Sequence, residues 1–234
     1  MWLLLLALQA HPAQRVVCPS DDGVEIVGSF YAPRDRNAPA LVLVHQLGAT
    51  RAEWEPLIAA LRADRDYAIL AIDLRGHGES TKTKDGHTLD WQKFTEADWH
   101  KLPQDVHAAF DWLRANKTIA PRSFGGMGSS IGGSALLVHA APQGSVRALV
   151  LLSPGLDYRG LHIRSAFARS EHRPVLMVAA EGDTRSAEAL QLLEKIASHR
   201  THFTRVTGNA HGTKMAAEHA DLVGTIVEFF RKNL

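Results

Sequence analysis

A serine hydroxyl is a weak nucleophile at neutral pH. It needs a positioned base to take its proton, and that base needs an acid to hold its tautomer. Three residues of this 234-residue chain have the types and the setting for that work. Ser130 stands in Gly128-Ser129-Ser130-Ile131-Gly132, a G-x-S-x-G pentapeptide. Its glycines allow a strand and a helix to approach closely around a sharp turn, which pushes the hydroxyl clear of the backbone. Upstream, residues 118–126, with Ile119 and Phe124, can enter a sheet; downstream, the small and aliphatic residues 134–140 can form a helix. Asp183, in Glu181-Gly182-Asp183, follows an apolar run ending at Ala180. His211, in Gly208-Asn209-Ala210-His211-Gly212, follows a run ending near Val206. Polar groups just past strand ends are where open α/β sheets carry function. Ser129 and Ser134 are competing hydroxyls without glycines on both sides, and Asp157, also past a strand, is an alternative acid.

The elements that must position these groups alternate along the chain. Residues 16–18 and 25–31 flank Ser20-Asp21-Asp22-Gly23 and predict a hairpin. Residues 40–45 and 67–72 are apolar runs, the mark of strands buried on both faces, and residues 146–152, 174–180 and 202–206 add further strands. Helical spacing appears at Trp54, Leu57, Ile58 and Leu61, and again over residues 96–116 through Val106, Ala109, Phe110 and Leu113. Further helices are expected over residues 186–198 and 214–231. Residues 75–98 are polar and glycine-containing and predict a long surface excursion. The pattern predicts one α/β domain over residues 15–234: a mostly parallel sheet with an antiparallel start and helices on both faces.

Composition narrows the function classes. The chain is 45% hydrophobic and 22% charged, with a net charge of +1 and scattered Lys and Arg, so no nucleic-acid footprint is present. Its thirteen histidines form no H-E-x-x-H and no Cys/His cluster, so neither a metal nor a cofactor is expected. The lone Cys18 excludes an internal disulfide and reads as a small buried hydrophobe. The apolar run of residues 1–8, followed by Gln9-Ala10-His11-Pro12-Ala13, resembles the end of a secretory signal cut after Ala10 or Ala13 and predicts export. The alternative is a hydrophobic segment packed on the domain. The run is too short to span a bilayer, so no stable membrane insertion is expected.

Five motifs in fixed order give the chain a family resemblance from about Asp21 onward. They are His45-Gln46-Leu47-Gly48, residues 73–80 (Asp-Leu-Arg-Gly-His-Gly-Glu-Ser), the serine turn, Gly182-Asp183 and Ala210-His211-Gly212. Together they resemble the α/β-hydrolases of the dienelactone-hydrolase-like group. The order Ser, Asp, His is that of this fold. The resemblance implies an oxyanion hole made by the backbone N–H groups of Leu47 and Ile131, with His45 holding the loop. Two departures stand out. His45-Gln46 replaces the His-Gly usual in the group, and Ser130 stands where dienelactone hydrolases carry cysteine. The expectation is therefore a serine hydrolase cleaving small carboxylic esters through an acyl-enzyme. Thioesterase, peptidase and non-catalytic binding protein are the rivals.

Other residues have plainer expected roles. Asp73 is a turn former for the Arg75-Gly76 loop, His77, His87 and His100 are solvated or pack loops, and Trp54, Trp91, Trp99 and Trp112 pack helices. Trp91 and Phe94 are alternatively borders of the acyl site. Only residues 153–173, with one helix expected over 161–169, separate two of the strands, which predicts a minimal lid and a preference for short acyl chains. A cover formed by residues 82–98 remains compatible with the sequence, and the oligomeric state is open.

Overall fold

A computed structural model describes residues 12–234. The apolar run at the amino terminus, on which the expectation of export rests, lies outside the described residues. The chain begins with strands β1 (Gln14–Pro19) and β2 (Glu25–Tyr31), joined through a turn at Gly23. Then follow β3 (Ala40–Val44), helix α1 (Glu55–Asp64) and β4 (Ala68–Ile72). Beyond the excursion come α2 (Glu96–Trp99), α3 (Leu102–Ala115), β5 (Phe124–Ser129) and α4 (Ile131–Ala140). The second half contributes β6 (Val146–Leu152), a small hairpin of β7 (Asp157–Tyr158) and β8 (Leu161–His162), and α5 (Arg164–Ala168). It ends with β9 (Val175–Ala180), α6 (Thr184–Glu194), β10 (Thr201–Val206), α7 (Lys214–Glu218) and α8 (Ala220–Asn233).

Eight strands form one sheet in the order β1-β2-β4-β3-β5-β6-β9-β10. β2 pairs antiparallel with both neighbours, and every other pairing is parallel. Alternation along the central strands divides the core. Ala40, Val42 and Val44 of β3 face the layer of α3 and α4, whereas Leu41 and Leu43 face the layer of α1 and α8. Both faces are covered, which is why these strands read as unbroken apolar runs in the sequence. Among the described residues no helix is long and apolar enough to cross a membrane.

Several boundaries differ from the sequence reading. The strand before the serine is Phe124–Ser129 rather than residues 118–126. Thr118 instead closes a turn, its amide and hydroxyl both donating to Asn116 Oδ1 at 3.0 and 2.8 Å. The helix expected over residues 96–116 breaks before Leu102-Pro103, because proline has no N–H to give an upstream carbonyl and suits a helix start. The last helix is interrupted at His219, whose extended backbone (φ −129°, ψ 95°) ends α7 and begins α8. Residues 161–169 hold β8 as well as α5. Arg159 and Gly160 both take positive φ (55° and 82°), the conformation of a two-residue hairpin turn.

Candidate active site

Ser130 occupies the turn between β5 and α4 with φ 52° and ψ −123°, a conformation that costs about 1–3 kcal/mol and survives only where its surroundings enforce it. Enforcement is visible in the packing. The Ser130 amide donates to Leu152 O at 2.8 Å, tying the turn to the end of β6. A Cβ on Gly132 would lie 2.3 Å from His45 O and 2.5 Å from Val44 O, so the first turn of α4 rests directly on the end of β3. That contact brings the loop beginning at His45 beside the serine.

Asp183 follows β9 and stands immediately before α6, and His211 lies in the loop between β10 and α7. His211 Nδ1 and Asp183 Oδ2 are 2.7 Å apart, so the carboxylate fixes the imidazole and leaves Nε2 for proton transfer. Burial pushes the Asp183 carboxyl up, but the Ser186 hydroxyl and the His211 imidazole outweigh it and hold its pKa below the ordinary value. The histidine loop docks on the serine turn. Gly212 donates its N–H to Ser153 Oγ at 2.9 Å, and a Cβ there would meet Ser129 Oγ and Gln46 Oε1, each at 2.2 Å. With φ 64° as well, this position strongly favours glycine. Ser130 and His211 are not hydrogen-bonded to each other; without substrate such contacts are often long and tighten on binding.

Two backbone N–H groups belong to the segments that adjoin the serine turn. Ile131 is the first residue of α4, where helix amides have no intrahelical acceptor, and Leu47 sits in the half-buried loop after β3. Among the described residues no loop or turn carbonyl takes either N–H.

The model of the alpha/beta hydrolase family matches residues 41–226, a span containing Ser130, Asp183 and His211. The chain belongs to this family. Solved structures agree on the fold. A dienelactone hydrolase from Anabaena variabilis superposes with a TM-score of 0.77 at 21% identity, covering 96% of this chain and all of that one. An esterase from Pyrococcus furiosus gives 0.75 at 16% identity, over 94% of this chain and 90% of its own. Curated relatives match in part. A bifunctional esterase/perhydrolase of Acinetobacter calcoaceticus is 28% identical over 56% of this chain and 42% of its own length, and a thiohydrolase of Aspergillus aculeatus is 27% identical over 58% and 40%. The chain thus spans less than half the length of these curated relatives.

Within this α/β-hydrolase the competing candidates fall elsewhere. Asp157 accepts from Gly160 N at 2.8 Å in the small hairpin and makes no bond to His211. Ser129 Oγ donates to Gln46 Oε1 at 3.3 Å, and Ser134 is buried inside α4. Asp73 is a turn former, although its partners are the amides of Arg51 and Glu79, at 2.7 and 2.9 Å, and the Arg51 guanidinium. His77 is buried and stacks on Trp91 (centroids 5.0 Å apart, planes 8° apart), whereas His87 is exposed and the exposed His100 bonds Gly160 O. Trp54 and Trp99 are buried in the core; Trp91 and Trp112 pack against it partly buried.

His45 holds its loop as expected. Nδ1 donates to Gln46 O at 2.7 Å and Nε2 accepts from Leu74 N at 2.9 Å, so the ring is neutral, and burial pushes its pKa down to about 4. Gln46 and Glu53 were not legible beforehand in these roles. One Glu53 oxygen accepts the Gln46 amide at 3.0 Å and the other accepts the Thr213 hydroxyl at 3.3 Å, so one carboxylate clasps the loop after β3 to the residues after His211. Burial raises its pKa to about 7, with these two bonds pulling the other way. Ser153, with φ 50° at the end of β6, was likewise not anticipated; the only sequence sign is Ser-Pro-Gly directly after a strand.

Proposed function

We propose that the chain is a serine hydrolase acting on small carboxylic esters through an acyl-enzyme. The observation that carries this reading is the 2.7 Å bond from His211 to Asp183 in a loop packed against the Ser129-Ser130 turn. His211 Nε2 takes the Ser130 proton as Oγ attacks the ester carbonyl. The amides of Ile131 and Leu47 receive the developing oxyanion, an interaction worth about 3 kcal/mol per donor in such sites. His211 then gives its proton to the departing alcohol, and water repeats the sequence to free the acid and restore the serine.

The small segment over the site supports a short acyl chain. Between β6 and β9 the regular structure is only a six-residue hairpin and the five residues of α5, which leaves little apolar surface for a long chain. Thioesters are the second reading, favoured by the likeness to a thiohydrolase.

The test is labelling with a fluorophosphonate probe followed by peptide mapping, beside turnover of p-nitrophenyl acetate, butyrate and palmitate and of an acyl thioester. Adduct on Ser130 with acetate or butyrate fastest supports the reading. A folded protein that takes no probe, or that maps it to another serine, defeats it. Faster thioester than ester turnover replaces the substrate class while keeping the mechanism.

A further inference from the structure

The carboxyl ends of β5, β9 and β10 carry the site described above. At the opposite end of the sheet, beside the starts of β6, β9 and β10, is a cavity of about 340 Å3. Val146 begins β6, Pro174 directly precedes β9 and Arg200 directly precedes β10, and all three line it. The cationic side chains on its wall are Arg147, Arg173, Arg200 and Lys232, His172 lies beside them, and no carboxylate is among the lining residues. Lys232 is paired with Glu228 at 2.7 Å. Arg147 and Arg200 are exposed and pair with no carboxylate among the described residues.

Arg173 is the decisive residue. It is 2% exposed, and only Nη2 has partners: Gln143 O at 3.0 Å and His172 Nε2 at 2.6 Å. Nε and Nη1 find no acceptor. A purely structural arginine closing the loop after α4 would account for the Gln143 contact. It would not account for a buried guanidinium with two empty donors and no counter-charge, which is costly unless something supplies the missing anion. Burial without a compensating carboxylate also lowers its pKa to about 10.

We propose that this cavity binds a phosphoryl or similar doubly charged oxyanion group of a small molecule, held by the exposed Arg147 and Arg200 and by the field of the buried Arg173. Three arginines without carboxylate partners outnumber the charge of a monocarboxylate, and the planar guanidinium fork matches tetrahedral oxyanions. With a net charge of +1 and Lys and Arg scattered along the sequence, the chain carries no massed basic run of the kind that favours a nucleic-acid backbone. The site lies a strand length from Ser130, so it stands or falls independently of the proposed hydrolysis.

The experiment is calorimetric titration of the full chain with inorganic phosphate at fixed pH and ionic strength, alongside sulfate and acetate. The expected result is saturable binding of phosphate and sulfate, equal in the Ser130→Ala variant, and at least tenfold weaker binding of acetate. The Arg147→Ala/Arg200→Ala double variant changes only exposed side chains, should fold, and should lose at least tenfold in phosphate affinity. Arg173→Met should bind no phosphate and, in phosphate-free buffer, melt no lower than wild type, because it removes an unpaired buried charge. No saturable phosphate binding in wild type overturns the proposal. So does a double variant that binds like wild type, or acetate binding as tight as phosphate.

Discussion

The two ends of the central sheet treat their polar groups in opposite ways. At the carboxyl ends the side chains that hold the serine and histidine loops are paired within the protein: His211 has Asp183, Glu53 has Gln46 and Thr213, Ser129 has Gln46, and Ser153 has the Gly212 amide. At the amino ends Arg173 keeps two empty donors, and Arg147 and Arg200 stand without carboxylates. A satisfied network fixes a geometry before any ligand arrives, which is what nucleophilic chemistry requires. An unsatisfied one holds charge in reserve and reaches its lowest energy only with a partner. On the two proposals above, the first region reacts and the second receives.

The comparison breaks most sharply at Ser130. Ser130→Ala should lower kcat/KM for p-nitrophenyl butyrate by about 10⁴-fold or more while leaving the melting temperature near that of wild type. Residual turnover within tenfold of wild type would move the chemistry away from this end of the sheet. Next in size is Asp183→Asn, which leaves the shape intact but frees the imidazole tautomer; a kcat loss of about 10²- to 10⁴-fold is expected in steady-state assays. An unchanged kcat would mean that the His211–Asp183 contact is only structural.

Gly212→Ala tests whether the histidine loop must touch the serine turn. Its Cβ would lie 2.2 Å from Ser129 Oγ and Gln46 Oε1, at φ 64°, so chemical denaturation should report a loss of about 1–3 kcal/mol together with a fall in kcat. A variant of wild-type stability and rate would show the loop to be loosely placed.

Glu53 gives the smallest effect and the most specific signature. Its folded pKa, about 7, lies above the ordinary 4.5, so protonation favours the native state. The stability it contributes is complete below pH 4.5 and is lost as pH rises through 7. Glu53→Gln removes that dependence while its amide can still bridge Gln46 and Thr213. Its stability relative to wild type should therefore rise by about 1–3 kcal/mol between pH 4.5 and pH 8, followed by urea unfolding at several pH values. A difference that is flat with pH would mean the carboxyl titrates normally.

Much of this arrangement was legible because it depends on local pattern. The runs at β3, β4 and β9 are apolar at every position, β6 is broken only by the exposed Arg147, and Ser130, Asp183 and His211 each follow a strand with glycine close by. β5 was misplaced because Phe-Gly-Gly-Met-Gly-Ser has no intrinsic strand preference; its pairing with β3 and β6 supplies what composition does not. Gln46, Glu53 and Ser153 escaped for a related reason. Their roles come from contacts spanning 83 residues for Ser129 to Gln46, 160 for Thr213 to Glu53 and 59 for Gly212 to Ser153, and no spacing rule encodes such meetings. The breaks at Leu102-Pro103 and His219 differ in kind. The proline announced the first, whereas nothing in the periodicity announced the second.

The single thiol of the molecule has a practical consequence. Cys18, in β1, is fully buried, and burial pushes its pKa up to about 12, so almost no thiolate exists for an alkylating reagent to capture. If Ser130 is the nucleophile proposed above, iodoacetamide should spare the activity and an organophosphorus inhibitor should abolish it. That contrast distinguishes it in one afternoon at the bench from relatives whose attacking atom is sulfur.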